Sequence, residues 1–313
     1  MTQNPSTTPI DFMKYRYVYF MISAVVILPG MIALACGGLK PSVDFTGGSF
    51  LEIKPPTNPI SDSQVLAAAP TTVKVASVVH TGENTLVIRS NQMTKDQAEA
   101  YRYQIASVSA AISGASPAAQ LEPVEEVQFQ TVGPILGKEL IQKTFLAVII
   151  ASISIMLYVA YRFKNLKYGV SAILAMLHDS LVLLSVFALL GYFQGVEIDT
   201  LFVTAMLTIL SFSVHDTIVV YDRIRESSHK YTQVKYYDLI NKAVTETMSR
   251  SINNSMTIIF MLLALLLFGG VTIRWFAFAL LIGTISGTYS SPFVAAPLLL
   301  AWDKFFKPPN KSQ

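Results

Sequence analysis

Six runs of about 20 mostly apolar residues dominate this chain, and a run of that length, wound as an α-helix, matches the hydrocarbon thickness of a bilayer. They are read at 17–36, 141–161, 168–192, 200–221, 252–269 and 276–302. A lipid-exposed helix satisfies its backbone groups internally, so the fold class that follows is a polytopic α-helical membrane protein with six transmembrane helices. Composition agrees: 52% of the 313 residues are hydrophobic and 14% charged, against roughly 25% charged in a soluble domain. A net charge of +3 gives a nucleic acid no electrostatic footing.

The basic residues predict an orientation. Lys14 and Arg16 precede the first run, and Arg162, Lys164 and Lys167 separate the second from the third. Six Lys or Arg residues from Arg223 to Arg250 separate the fourth from the fifth, and Lys304, Lys307 and Lys311 follow the last. Cytoplasmic loops carry the excess of Lys and Arg, so residues 1–16, the 222–251 loop and the 303–313 tail are expected inside, with both termini cytoplasmic. The sole cysteine, Cys36, permits no intrachain disulfide and no thiolate metal site. It follows Ile32-Ala33-Leu34-Ala35 in slight likeness to a lipoprotein signal, but the run before it is long enough to span and further spans follow.

The remaining loop, 37–140, is too long for a connector and is expected to be a folded periplasmic domain. Ser49 to Lys54 reads as a strand, Ser61 to Ala69 as a short helix, and Thr72 to Val79 and Thr85 to Ser90 as strands joined by a turn over His80-Thr81-Gly82-Glu83-Asn84. Thr94 to Ile112 reads as a helix that opens on a Thr94/Gln97 capping box, and Val124 to Thr131 as a last strand. This β-α-β-β-α-β order predicts an α+β, ferredoxin-like domain. In the 222–251 loop, Tyr236, Ile240, Ala243, Val244 and Met248 fall at helical spacing, which predicts an amphipathic helix against the membrane face or the ends of other helices.

Ionisable residues inside spans are costly and are functional candidates by default. Asp216 lies within the fourth run, more than a turn of mostly apolar sequence before Asp222 and Arg223. A carboxyl group in low dielectric can alternate between neutral and charged forms. Arg250, at the cytoplasmic start of the fifth run, supplies a permanent cation, and a reversible Asp216–Arg250 pairing would couple proton uptake to helix movement. A permanent ion pair joining two helices is the alternative. His178 and Asp179 in the third run are weaker candidates, since such neighbours also bond to adjacent helices with no part in transport. His215 is another, although consecutive helical residues point about 100° apart. Metal-ligand spacing, phosphate-binding loops and nucleophile–base arrangements do not occur, so no cofactor is expected and an ion gradient or a partner supplies the drive. Gly283 and Gly287 form a Gly-x-x-x-Gly that lets another helix approach, and Ser290-Ser291-Pro292 predicts a kink or a loosened turn whose freed carbonyl needs a partner.

These segments in this order resemble the SecF family, the smaller membrane subunit of the SecD–SecF accessory complex of the bacterial Sec translocon. Val43-Asp44-Phe45-Thr46-Gly47-Gly48-Ser49 is similar to its Asp-Phe-Thr-Gly-Gly signature, Leu177-His178-Asp179 to its third-span His-Asp, and His215 through Glu226 to its long fourth-span signature. Leu267-Phe268-Gly269-Gly270 and Gly283 to Pro292 resemble its closing segments. His215 stands where other members carry Asn, and Ser211 where Gly is frequent.

The resemblance implies half of a resistance-nodulation-division type transporter in the bacterial inner membrane. SecD would supply the other six spans, and the complex would use the proton motive force in late steps of protein export. It further implies SecYEG, YajC and YidC as neighbours, translocating preproteins as substrates, protons as coupling ion, and Asp216 with Arg250 in the proton pathway. The residues read the same way, since one six-span chain with buried charges needs a second bundle to enclose them. Asp44 to Gly48 are expected to build the turn from the first span into the sheet, with Gly47 and Gly48 in unusual dihedrals. The rivals are a structural scaffold with a fixed charge pair and a small-molecule exporter of the same superfamily, for which the outer loop is too small.

Overall fold

The structure is a computed structural model that describes residues 11–54, 60–81, 85–112 and 122–306. The Gly82-Glu83-Asn84 part of the expected turn, residues 1–10, and the tail from 307 with its Lys307 and Lys311 lie outside the described residues. The chain divides into two compact units, Met1–Lys40 with Phe145–Gln313, and Pro41–Thr144. Among the described residues, six helices are long and apolar enough to cross a membrane.

In chain order, a 3-10 turn at Phe12–Tyr15 leads into α1 (Arg16–Ala35), a two-residue strand β1 (Lys40–Pro41), α2 (Val43–Thr46), β2 (Gly48–Ile53), α3 (Asp62–Ala67) and β3 (Val75–Thr81). There follow β4 (Thr85–Ser90), α4 (Lys95–Ile112), β5 (Glu126–Val132), α5 (Pro134–Phe163) and α6 (Leu166–Gln194). A second two-residue strand, β6 (Glu197–Ile198), precedes α7 (Thr200–Lys230), α8 (Tyr236–Phe268) and α9 (Val271–Ser290). A π-helical turn at Ser291–Ala295 leads into α10 (Ala296–Phe306).

In the 41–144 unit, β2 to β5 form a four-stranded antiparallel sheet of order β3-β4-β2-β5. The pleat puts alternate residues on opposite faces, so Leu51 and Ile53 of β2 and Leu86 and Ile88 of β4 share the buried side. They meet Val65 of α3 and Tyr101 and Ile105 of α4 in one apolar cluster. The entry to α4 is fixed reciprocally: Gln97 N donates to Thr94 Oγ1 at 3.3 Å, and Thr94 N donates to Gln97 Oε1 at 2.9 Å.

The helical unit departs from the expected boundaries wherever a polar stretch continues a helix. The segment 222–251 is not a separate amphipathic helix on a loop: α7 runs on to Lys230 and α8 starts at Tyr236 and continues without a break into the apolar run. Tyr236, Ile240, Ala243 and Val244 do bury one face, in a cluster with Tyr168, Tyr221 and Ile224 at the ends of other helices. The turn before α1 clamps the same region, because Tyr237 Oη and Asn241 Nδ2 donate to Asp11 Oδ1 at 2.7 and 2.6 Å. Likewise α5 starts at Pro134, seven residues before the apolar run read from 141, because an exposed helical turn carrying the Lys143–Glu139 ion pair (2.7 Å) needs no apolar side chains. The run read as 276–302 comprises α9, the π turn and α10, with the interruption at Ser290-Ser291-Pro292 where a loosened turn is expected.

Candidate functional site

The polar side chains of the helical unit gather where α6, α7, α8 and α9 meet. Two local devices set α6 and α7 in register. Gly195, at φ 72° in the left-handed region, ends α6, and the Asp199 carboxylate starts α7 by accepting from Phe202 N at 2.8 Å. On α9, Gly287 lies flat against α7: a methyl there would sit 3.3 Å from Ser213 Cα. A methyl at Gly283 would overlap the Ile209 side chain. The two glycines thus face α7, while their i+3 neighbours Ser286 and Ser290 face α6, where both donate to Asp179.

Asp216 is 5% exposed and accepts a hydrogen bond from Ser251 Oγ of α8. Arg250, one residue earlier on α8, is exposed and makes no ion pair with Asp216 among the described residues. His215 is exposed on the neighbouring face of α7. The direct partner of Asp216 is thus Ser251, the residue that follows Arg250 on α8.

Asp179 is fully buried. Its Oδ2 accepts from Ser213 Oγ of α7 at 2.5 Å and from Ser290 Oγ of α9 at 2.6 Å, and its Oδ1 accepts from Ser286 Oγ at 2.6 Å. His178 Nδ1 lies 3.1 Å from Oδ1, and its Nε2 is 2.7 Å from Ser23 Oγ of α1. Ser23, Ser213, Ser251, Ser286 and Ser290 were not singled out as site residues. The signal available for two of them is the four-residue spacing of Ser286 and Ser290, parallel to that of Gly283 and Gly287.

The loosened turn at Ser290-Ser291-Pro292 takes the form of the π turn. Pro292 has no backbone N–H to continue the i→i−4 ladder, and just before it the Gly287 carbonyl, already bonded by Ser291 N, also accepts from Ser290 Oγ at 3.3 Å and Ser291 Oγ at 3.1 Å. Ser291 Oγ also lies 3.0 Å from Thr217 Oγ1 of α7.

In the sheet unit, Ser42 Oγ caps α2 by accepting from Asp44 N at 3.2 Å, and Gln130 Nε2 donates to Asp44 Oδ1 at 2.7 Å. Phe45 is buried, Thr46 Oγ1 donates to the Ser42 carbonyl at 3.0 Å, and Gly47 (φ 74°) and Gly48 (φ 120°) take the chain into β2. Only glycine is at ease in those two conformations. The described residues hold no group of three or more His, Cys, Asp and Glu side chains able to bind a metal.

A family model described as protein export membrane protein SecD/SecF, C-terminal, matches residues 115–305. The chain is 40% identical over 308 residues to the protein translocase subunit SecF of Thermobaculum terrenum, covering 94% of each. It is 39% identical over 301 residues to that of Anaerolinea thermophila, again covering 94% of each. The protein translocase subunit SecDF of Bacillus subtilis matches at 31% over 309 residues, covering 93% of this chain and 38% of that one. Among solved structures, the translocon-associated membrane protein SecDF from Thermus thermophilus superposes with a TM-score of 0.77 at 28% identity, over 96% of this chain and 40% of that one. The chain therefore spans about two fifths of the length of the SecDF proteins it matches.

Proposed function

The chain belongs to the SecD/SecF family of protein-export membrane proteins as a SecF-type translocase subunit, and we propose that it uses the proton motive force to promote late steps of export. In this reading a SecD-type subunit supplies the rest of the machine, since the chain matches one part of the SecDF proteins. The complex works beside the SecYEG translocon, with YajC and YidC as further neighbours and preproteins as substrates. It lies in the bacterial cytoplasmic membrane with both termini inside, an orientation supported by the basic residues at 14–16, 162–167 and 223–250. The antiparallel order β3-β4-β2-β5, with helices after the first and third strands of the sheet, supports reading the 41–144 unit as a ferredoxin-like domain on the periplasmic side.

The observation that carries the proton-linked reading is the setting of Asp216: a buried carboxyl group on α7 with one neutral hydroxyl partner on α8 and a guanidinium nearby that is not bonded to it. A buried charge without a bonded cation is costly, so protonation and deprotonation change what α7 and α8 gain by contact. Arg250 is the group that a deprotonated Asp216 recruits, and His215 sits on the exposed side, where protons would enter. The coupling ion is the proton, and no cofactor takes part.

The test is late-stage preprotein export in inverted membrane vesicles carrying the assembled complex with Asp216→Asn or Arg250→Met. We expect the gradient-stimulated fraction to fall at least about tenfold in either variant. If both respond to the gradient as the parent does while the complex assembles normally, the proton pathway does not run through this pair and the subunit is a scaffold.

A further inference from the structure

Two buried carboxylates lie within the bundle, and their surroundings differ in kind. Asp216 has one hydroxyl donor, Ser251. Asp179 has three, Ser213, Ser286 and Ser290, and a histidine nitrogen at 3.1 Å besides. A carboxylate offers about four acceptor sites, so the Asp179 group is filled. It is braced from every side: its own helix supplies His178, α7 and α9 supply the serines, and His178 is held in turn by Ser23 of α1. The titratable groups facing it are His178 and, beyond that ring at a centroid distance of 6.3 Å, Tyr289 of α9. The α7 and α1 contacts are uncharged hydroxyls.

The geometry points to Asp179 as a positioning residue for Asp216: through Ser213 and Ser290 it pins α7 to the π turn of α9 and so fixes the face on which Asp216 meets α8. The ties bracket Asp216 along α7. Ser213, three residues before it, bonds to Asp179, and Thr217, one residue after it, lies 3.0 Å from Ser291. Ser290 and Ser291 are adjacent, at the point where the α-helical ladder gives way to the π turn. Both hydroxyls reach the same Gly287 carbonyl, and Gly287 is the residue whose missing side chain lets Ser213 approach. A neutral amide at this position keeps only one of the two acceptor oxygens, so Ser213, Ser286 and Ser290 compete for it and α7 is held less firmly beside the residue that must change partners. Three hydroxyl donors against one suit Asp179 to the anchoring role and the sparsely bonded Asp216 to the changing one.

This inference rests on the proton-linked reading of Asp216. It is tested by gradient-dependent export in inverted vesicles carrying the whole complex, comparing Asp179→Asn, Asp216→Asn and the double variant. Asp179→Asn is expected to assemble and to lower the gradient-stimulated fraction about tenfold. The double variant is expected to export no less than Asp216→Asn alone, because a residue that acts through Asp216 has nothing left to position. A parental gradient response in Asp179→Asn, with the response of Asp216→Asn lost, overturns the inference and leaves the proton-linked reading standing. A parental response in both variants overturns both. A further loss in the double variant also overturns the inference, since Asp179 then acts independently of Asp216. Should Asp179→Asn fail to assemble, Ser213→Ala and Ser290→Ala carry the same comparison in steps of about threefold each, and parental responses from both overturn the inference.

Discussion

The innermost side chains of the sheet unit are mostly apolar, Leu51, Ile53, Leu86, Ile88 and Tyr101 with Ser49 among them, whereas those of the helical unit include, beside apolar residues such as Leu183 and Tyr221, a carboxyl group and its hydroxyl partners, Asp179, Ser213 and Ser290. The difference follows from the solvent. In water, burying apolar area is worth about 25 cal/mol per Å², so a sheet and two helices gain most by clustering Leu and Ile. In a bilayer the lipid is as apolar as the side chains, and helices associate through close packing and hydrogen bonds instead. The glycines and hydroxyls between α7 and α9 are what that rule selects, and the same hydroxyls are the donors a buried carboxylate requires. Stability and site are separable in the sheet unit and made of the same residues in the bundle.

The largest expected effect lies in the sheet unit. Leu51 is fully buried and pairs across the sheet with Ile88 and Phe129. Leu51→Ala removes about 3 kcal/mol of local stability by the lost transfer energy and the cavity left behind. Amide exchange of the full-length protein in detergent should show β2 and β4 losing protection; unchanged protection there would mean that the apolar cluster is not what holds the unit.

Tyr101 gives the same unit a pH signature. Burial pushes its phenol up to about 12, and its hydroxyl donates to the Val65 carbonyl at 2.7 Å. The unfolded chain loses this proton near pH 10 and the folded one near 12, so the contribution is whole below pH 10 and is lost as pH rises from 10 to 12, to a total of roughly 2 to 3 kcal/mol. The difference between the ultraviolet titrations of the parent and Tyr101→Phe should place one phenol ionisation near 12. Ionisation near 10 would show the phenol to be open to water.

In the bundle, Gly283→Ala sets a methyl on the Ile209 side chain and should cost about 2 kcal/mol as Ile209 and α9 shift apart. Gly287→Ala, with its methyl 3.3 Å from Ser213 Cα and Cβ, meets backbone that cannot turn aside and should disturb the Ser213–Asp179 bond instead. Thermal unfolding in detergent separates the two when combined with Ser213→Ala: additivity is expected for Gly283→Ala and non-additivity for Gly287→Ala.

Features set by solvent or by neighbours in sequence were legible in the chain alone. Apolar runs give spans because the bilayer demands them, the Thr94/Gln97 box is closed within one helical turn, and the Ser-Ser-Pro break follows from a missing N–H. Helix ends were not legible from hydropathy, because Glu139, Lys143 and the 222–230 stretch continue helices on polar residues and ion pairs. The partners of Asp179 and Asp216 were hidden for a different reason. Ser213 and Ser251 lie 34 and 35 residues from the carboxylates they bond, and a serine in an apolar run carries no mark of what it faces. The charge of Arg250 is conspicuous in the sequence, while the direct bond to Asp216 comes from its neighbour, Ser251.

The smallest expected effect is the one that most directly sets the two units against each other. Ser286→Ala removes one hydroxyl from Asp179 Oδ1 and leaves Ser213 and Ser290 on Oδ2 and His178 at 3.1 Å. Hydrogen bonds between membrane helices are worth on the order of 1 kcal/mol or less, because helices separated in the membrane find other partners for the same groups. The expected loss is therefore about 1 kcal/mol, against about 3 for Leu51→Ala, although the serine bonds a carboxyl group and the leucine packs in an apolar cluster. Equilibrium unfolding of both variants in the same detergent measures the ratio. A Ser286→Ala loss as large as that of Leu51→Ala would make the hydroxyl cage the main source of bundle stability. The carboxylate at its centre would then be primarily a structural group, and positioning Asp216 a by-product of the fold.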